Sequence, residues 1–137
     1  MSQVEEFFKV LQDISFKLRK IKEREITRLG LDDFSMTSFR YIEAIYKLGR
    51  PTIIELTKEL ELSKPTVTIM INKLVEQGFV NKSKSDQDGR YYYLGLSDKG
   101  IQVIQSYNET HKKFSREIST LFNEQEMETL NTLLKRI

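Results

Sequence analysis

Thr52–Gln77 reads TIIELTKELELSKPTVTIMINKLVEQ, and its punctuation decides the fold. Thr52 and Ser63 are residues that cap helix N-termini, because a hydroxyl oxygen accepts a backbone N–H that would otherwise lack a partner. Pro65 fits a first helical turn, where its missing N–H is no loss. Leu56 and Leu60, then Val67, Met70, Ile71 and Leu74, recur at three- and four-residue spacing, so each segment is an amphipathic helix with those residues inward. Gly78 stops the second helix. Only Glu61 and Leu62 separate the predicted helices Thr52–Leu60 and Ser63–Gln77. Two short helices joined by so tight a turn form a helix-turn-helix, whose second helix enters the major groove of DNA.

The polar residues agree with that reading. With Val67, Ile71 and Leu74 facing the core, Lys64, Pro65, Thr68, Ile69, Asn72 and Lys73 face outward, and none of them is an acid. Lys64, Thr66 and Lys73 suit phosphates, with Ser63 beside them at the helix start. Thr68 and Asn72 suit base edges, and Ile69 suits a thymine methyl. After Gly78 the period changes. Phe79–Ser85 and Tyr91–Leu96 are β-prone runs around Ser85-Asp86-Gln87-Asp88-Gly89-Arg90, a hairpin signature. Lys82, Lys84 and Arg90 make this ribbon cationic, and Arg90 at its tip is placed to enter a minor groove. Asp88 pairs with Arg90 or caps the turn, orienting the guanidinium. Tyr91-Tyr92-Tyr93 alternates faces, so one ring packs inward while its neighbours lie on the opposite face.

Helices surround this unit. Val4, Phe7, Phe8, Leu11, Ile14, Leu18, Ile21 and Leu29 mark one long amphipathic helix that Gly30 ends. A second helix starts at Ser35 or Thr37, turns Phe39, Ile42, Ile45 and Tyr46 inward and stops at Gly49. Ser97 caps another long helix with the stripe Ile101, Ile104, Tyr107, His111, Phe114, Ile118 and Leu121; a last helix carries Met127, Leu130, Leu134 and Ile137. The expected fold is mostly α with a small β-hairpin wing (α+β), a winged helix-turn-helix over 35–97 flanked by dimerisation helices over 1–34 and 98–137. The terminal apolar stripes exceed what one compact lobe covers, which points to a homodimer.

Composition narrows the function classes. The 137 residues carry a formal charge of only +2, so a DNA-binding surface must concentrate its cations locally. No cysteine is present, which excludes disulfides, thiolate metal sites and a cysteine oxidant sensor and fits a cytoplasmic protein. No apolar run reaches the ~20 residues of a membrane span, and the N-terminus lacks the basic region of a signal peptide. No catalytic residues, cofactor or metal ligands are expected. There is no glycine-rich phosphate loop, GxSxG or HExxH motif or cysteine nucleophile, so an enzyme is set aside. A winged helix used only for protein contacts would not require an acid-free recognition face.

LSKPTVT (62–68), LVEQGFV (74–80), Asp88-x-Arg90 and LSDKG (96–100) together resemble the MarR family of winged-helix regulators, across essentially the whole chain. The resemblance implies an obligate homodimer built on the first helix and the last two, recognition of double-stranded DNA by the second helix of the motif, and a wing whose Asp and Arg match Asp88 and Arg90. It implies a transcriptional repressor at a palindromic operator. It also implies relief by a small-molecule effector, bound between the dimer layer and the DNA-binding lobe. Glu61 departs from the family, which usually has glycine in that turn. RYIEAIYKL (40–48) also looks like the opening helix of the metal-dependent DtxR/MntR-type repressors, the alternative reading. Those proteins need several His, Cys, Asp, Glu or Met ligands per metal, against one histidine and no cysteine here. The zinc-responsive MarR members, which use several histidines, are disfavoured for the same reason.

Two further features have structural and functional readings. His111 on its apolar stripe reads as a packed or interface histidine rather than a ligand or sensor. Lys17, Arg19, Lys20, Lys22, Arg24 and Arg28, against Glu23 and Glu25, read as a solvated helix face rather than an anion-friendly effector wall.

Overall fold

The computed structural model describes residues 1–31, 34–87 and 89–137. Among them six helices and one two-stranded sheet run in the order α1 (Gln3–Arg28), α2 (Met36–Leu48), α3 (Ile53–Leu60), α4 (Lys64–Glu76), β1 (Val80–Lys84), β2 (Tyr92–Leu96), α5 (Asp98–Ser119) and α6 (Glu124–Leu134). This is the mostly α architecture with a hairpin wing that the sequence predicts. Each helix starts on a side-chain cap: Ser2, Ser35, Thr52, Ser63, Ser97 and Asn123 all accept from the backbone N–H three residues on. A cap of this kind contributes about 1 kcal/mol. Gly78, at φ 84°, turns the chain out of α4 into β1.

The core is one cluster centred on the winged lobe. Phe39, Tyr41, Ile42 and Ile45 of α2 meet Leu56 and Leu60 of α3, Val67, Ile71 and Leu74 of α4, Val80 of β1 and Leu94 of β2. The antiparallel register pairs Val80 with Leu96, Lys82 with Leu94 and Lys84 with Tyr92. Directly paired residues share a face of the sheet. Lys82 and Lys84 therefore continue, beyond the lobe's edge, the face that Val80 and Leu94 bury. The wing's root is held at two points. The Leu94 N–H donates to the Pro51 carbonyl at 2.8 Å, and the Ser97 N–H donates to the Phe79 carbonyl at 3.0 Å. At Gly100 the first turn of α5 passes so close to that root that a Cβ would stand 2.4 Å from the Phe79 carbonyl oxygen.

α1 joins the lobe only through its second half. Ile21 and Ile26 are buried in the same cluster as Val103, Ile104 and Tyr107 of α5. Lys22 ties α1 to α2 through Glu43 at 3.3 Å and lies 5.3 and 5.4 Å from the ring centres of Phe39 and Tyr107. Burial, with the Glu43 charge adding to it, pushes the Tyr107 hydroxyl up to about 12, so it stays neutral at physiological pH. His111 packs edge-on against Tyr107, 5.4 Å between ring centres, in line with the packed-histidine reading. Val4, Phe7, Phe8, Leu11 and Ile14 remain exposed, as do Leu121, Phe122, Leu133, Leu134 and Ile137 at the other terminus.

Several sequence expectations need correction. Tyr46, expected inward, is 49% exposed, because it borders an open cavity between the end of α2, the sheet and α5. Met70 is only partly buried at the edge of the core. None of the rings of Tyr91, Tyr92 and Tyr93 is buried. Tyr92 shares Leu94's face but lies where the wing has outrun the core, and Tyr93 is half-covered by Arg50, whose guanidinium carbon stands 5.2 Å from its ring centre. The paired strands are also shorter than the β-prone runs. Phe79 is packed on Phe34 at 4.8 Å between ring centres, before the strand begins.

Candidate nucleic-acid interface

The turn between α3 and α4 is made without a glycine. Glu61 takes the left-handed conformation itself, φ 55° and ψ 41°, and is the one non-glycine residue with positive φ among those described. Its N–H reaches back to the Lys58 and Thr57 carbonyls, while Arg40 of α2 donates to the Leu60 carbonyl at 2.9 Å. The exposed end of α3 is thus hydrogen-bonded in spite of the strained residue, and α4 is presented at a fixed angle.

α4 presents most of the residues expected of a recognition helix. Lys64, Pro65, Thr66, Ile69, Asn72 and Lys73 are exposed, Ile69 by 72%. Thr68, expected to face out fully, is half-buried on the flank. Ser63 and Thr66 are exposed but engaged with each other, their hydroxyls 2.8 Å apart and the Thr66 N–H donating to Ser63. They form the cap, which points the free amides and positive dipole end of α4 outward beside Lys64, a setting that favours a phosphate. The acid on α4 is Glu76, at the opposite end from Lys64.

The wing lies against this helix. Lys82 donates to the Asn72 side-chain oxygen at 2.7 Å, joining the root of β1 to the exposed face of α4. Lys84 is exposed two residues further along the same face, and Arg90 is exposed in the tip loop. Asp88, expected to orient Arg90, lies outside the described residues. A contributor that the sequence reading missed is Arg50. It donates to the Ser83 hydroxyl at 3.0 Å while covering Tyr93, bracing the wing from the face opposite Lys82. It sits in the link after Gly49, where no helical or strand period assigns it a direction.

Charge is distributed unevenly. On α1, Lys20 pairs with Glu23 at 3.4 Å, Lys22 with Glu43 at 3.3 Å and Arg28 with Glu25 at 2.8 Å, so much of that basic run is internally neutralised. Arg28 also holds the buried Glu25 carboxyl below its ordinary value, with the Thr110 hydroxyl assisting against the opposing effect of burial. Among the described residues Lys64, Lys73, Lys82 and Lys84 form no ion pair. Among the described residues, no group of three or more His, Asp or Glu side chains stands where it could hold a metal, and no helix is long and apolar enough to cross a membrane.

Comparison with known proteins agrees with this geometry. Residues 34–92, from the approach to α2 through the wing, match the MarR family model. The HTH-type transcriptional regulator MhqR of Bacillus subtilis is 21% identical, over 97% of this chain and 92% of that protein. FabT of Streptococcus pneumoniae, solved in complex with DNA, has the same fold at a TM-score of 0.81 and 24% identity, covering 98% of this chain and 94% of FabT. A MarR family protein from Bacillus stearothermophilus aligns at a TM-score of 0.80 and 19% identity, over 99% and 94% of the two chains. Residues 34–92 thus match the MarR family, in a chain whose relatives are HTH-type transcriptional regulators and whose fold is that of MarR family structures.

Proposed function

We propose that this chain binds a palindromic operator in double-stranded DNA as a homodimer and represses transcription there, with α4 in the major groove and the wing reaching the adjacent minor groove. The observation that carries the proposal is the set of exposed lysines that form no ion pair among the described residues, Lys64 and Lys73 on α4 and Lys84 on β1, around Ile69 and the Asn72 that Lys82 holds. Lys20, Lys22 and Arg28 of α1 are matched with acids, whereas these lysines are exposed at positions suited to phosphates. FabT, a relative in fold, is known in complex with DNA. The second copy would cover the exposed apolar residues of α1 and α6, which a lone chain leaves in water. An effector would fit the cavity of about 640 Å³ bordered by Tyr46, Arg50, Asn81, Ser83, Ile101 and Gln105, between the wing and α5.

Binding-site selection from randomised duplexes, followed by titration of selected and scrambled duplexes at one salt concentration, tests the proposal. A single inverted repeat should emerge, with Lys73→Ala weakening both duplexes by a similar factor and Asn72→Ala weakening the selected one alone. Enrichment of no sequence would overturn operator reading.

A further inference from the structure

The contact between Lys82 and Asn72 has a chemical direction. A lysine ammonium has three donors and no acceptor, so the atom of the Asn72 amide that faces it must be the oxygen. The amide nitrogen, with its two donors, is then turned away from Lys82. The contact is 2.7 Å long and charge-assisted, which makes it stronger than a neutral hydrogen bond. Lys82 is also well fixed. Its Cα partner across the sheet is the fully buried Leu94, and two residues before it Val80 is buried too. Its stem therefore leaves a strand anchored in the core rather than a free loop.

We propose that Lys82 is a specificity-determining residue: by holding the Asn72 oxygen, it makes Asn72 a hydrogen-bond donor toward DNA and directs it to guanine or thymine in place of adenine. This rests on the reading of α4 as the recognition helix. In the major groove guanine presents N7 and O6 and thymine presents O4, all acceptors. The familiar pairing of asparagine with adenine uses both ends of the amide, the oxygen accepting from N6 and the nitrogen donating to N7. With one lone pair of its oxygen taken by the ammonium and the amide plane fixed by it, Asn72 accepts less well from the adenine N6 donor, which favours an edge that carries acceptors alone over adenine's mixed edge. The wing root thus takes part in base choice without touching a base itself, as a positioning residue.

Selection from randomised duplexes, run in parallel for the wild type, Lys82→Met, Lys82→Arg and Asn72→Ala, tests this, with melting curves verifying that each variant folds. Methionine keeps the stem and removes the donors; arginine keeps donors. The wild type should enrich guanine or thymine at one symmetry-related pair of positions, and Asn72→Ala should make that pair degenerate. Lys82→Met should move it toward adenine by on the order of tenfold in relative affinity, while Lys82→Arg retains the wild-type base. If Lys82→Met lowers affinity evenly and leaves every base preference in place, Lys82 is a phosphate anchor and the proposal fails. It fails too if the wild type already selects adenine at the Asn72-dependent pair. If Asn72→Ala changes no position, the assignment of α4 to base reading falls, and the role of Lys82 with it.

Discussion

Adding one methyl group at Gly100 perturbs the joint between the wing and α5 at a point where the structure fixes the outcome. An alanine Cβ would stand 2.4 Å from the Phe79 carbonyl oxygen and 3.4 Å from the Leu96 side chain. The near contact is with backbone. That carbonyl already accepts the Ser97 N–H at 3.0 Å, and the Ser97 hydroxyl donates to the neighbouring Gly78 carbonyl, so the atom cannot retreat freely. Two effects compete. Alanine gains about 1 kcal/mol over glycine in a helix interior, and less near its start. Overpacking against a well-held neighbour costs about 1–3 kcal/mol, and a backbone contact this short belongs at the upper end. The net expectation is a loss of about 1–2 kcal/mol, a fall of roughly 3–10 °C in melting temperature for a domain of this size. Gly95→Ala supplies the control, since nothing lies within 4 Å of its added Cβ. It should be neutral or gain up to about 1 kcal/mol. Thermal unfolding of both variants at one protein concentration is the assay. If Gly100→Ala melts with or above the wild type, α5 does not approach the wing root as closely as described.

Other predictions address charge and backbone. The Glu25 carboxyl is held below its ordinary value, so its pairing with Arg28 stabilises the fold above the usual carboxylate range near pH ~4.3 and is lost as pH falls through the lowered folded value. Glu25→Gln should therefore melt lower than the wild type at pH 7, and the gap should close in acid; a gap that does not vary with pH would remove that pairing as its source. Glu61→Gly relieves a left-handed conformation that disfavours side chains by about 1–2 kcal/mol but also loosens the unfolded chain, so chemical denaturation should show a small net gain, about 0.5–1 kcal/mol. A loss would mean that the Glu61 side chain contributes to the turn. Lys73→Ala should reduce the slope of log affinity against log salt by about one unit, and Arg90→Ala likewise if it meets a phosphate; an unchanged slope excludes the mutated residue from the phosphate contacts.

The helix-turn-helix was legible because its signals are local. Thr52, Ser63 and Gly78 mark ends by chemistry that operates within one turn, and the core residues of α3 and α4 repeat at the helical period. What could not be read depends on partners distant in sequence. Tyr46 has the right period to face inward, but the element opposite it leaves a cavity. The apolar stripe of α1 is continuous, yet among its apolar residues only Ile21 and Ile26 are buried, with Leu18 and Leu29 partly covered, because the lobe and α5 pack against the second half of the helix. Glu25 counts in sequence as one more acid on a solvated face; it is buried because Arg28 and α5 enclose it. The wing's cations are evident from composition, whereas the contact that joins Lys82 to Asn72 arises only once the hairpin folds back on α4.

The central claim is that two copies of α4 read one duplex together, and it is tested most directly by varying the distance between the halves of the selected operator while measuring stoichiometry. Half-sites about 10 base pairs between centres set the two helices one turn apart on the same face of the DNA. Analytical ultracentrifugation should find two chains per duplex at that spacing, and inserting about half a turn should bring affinity down toward the level of a scrambled duplex. A complex holding one chain per duplex, or an affinity indifferent to the insertion, would contradict the account.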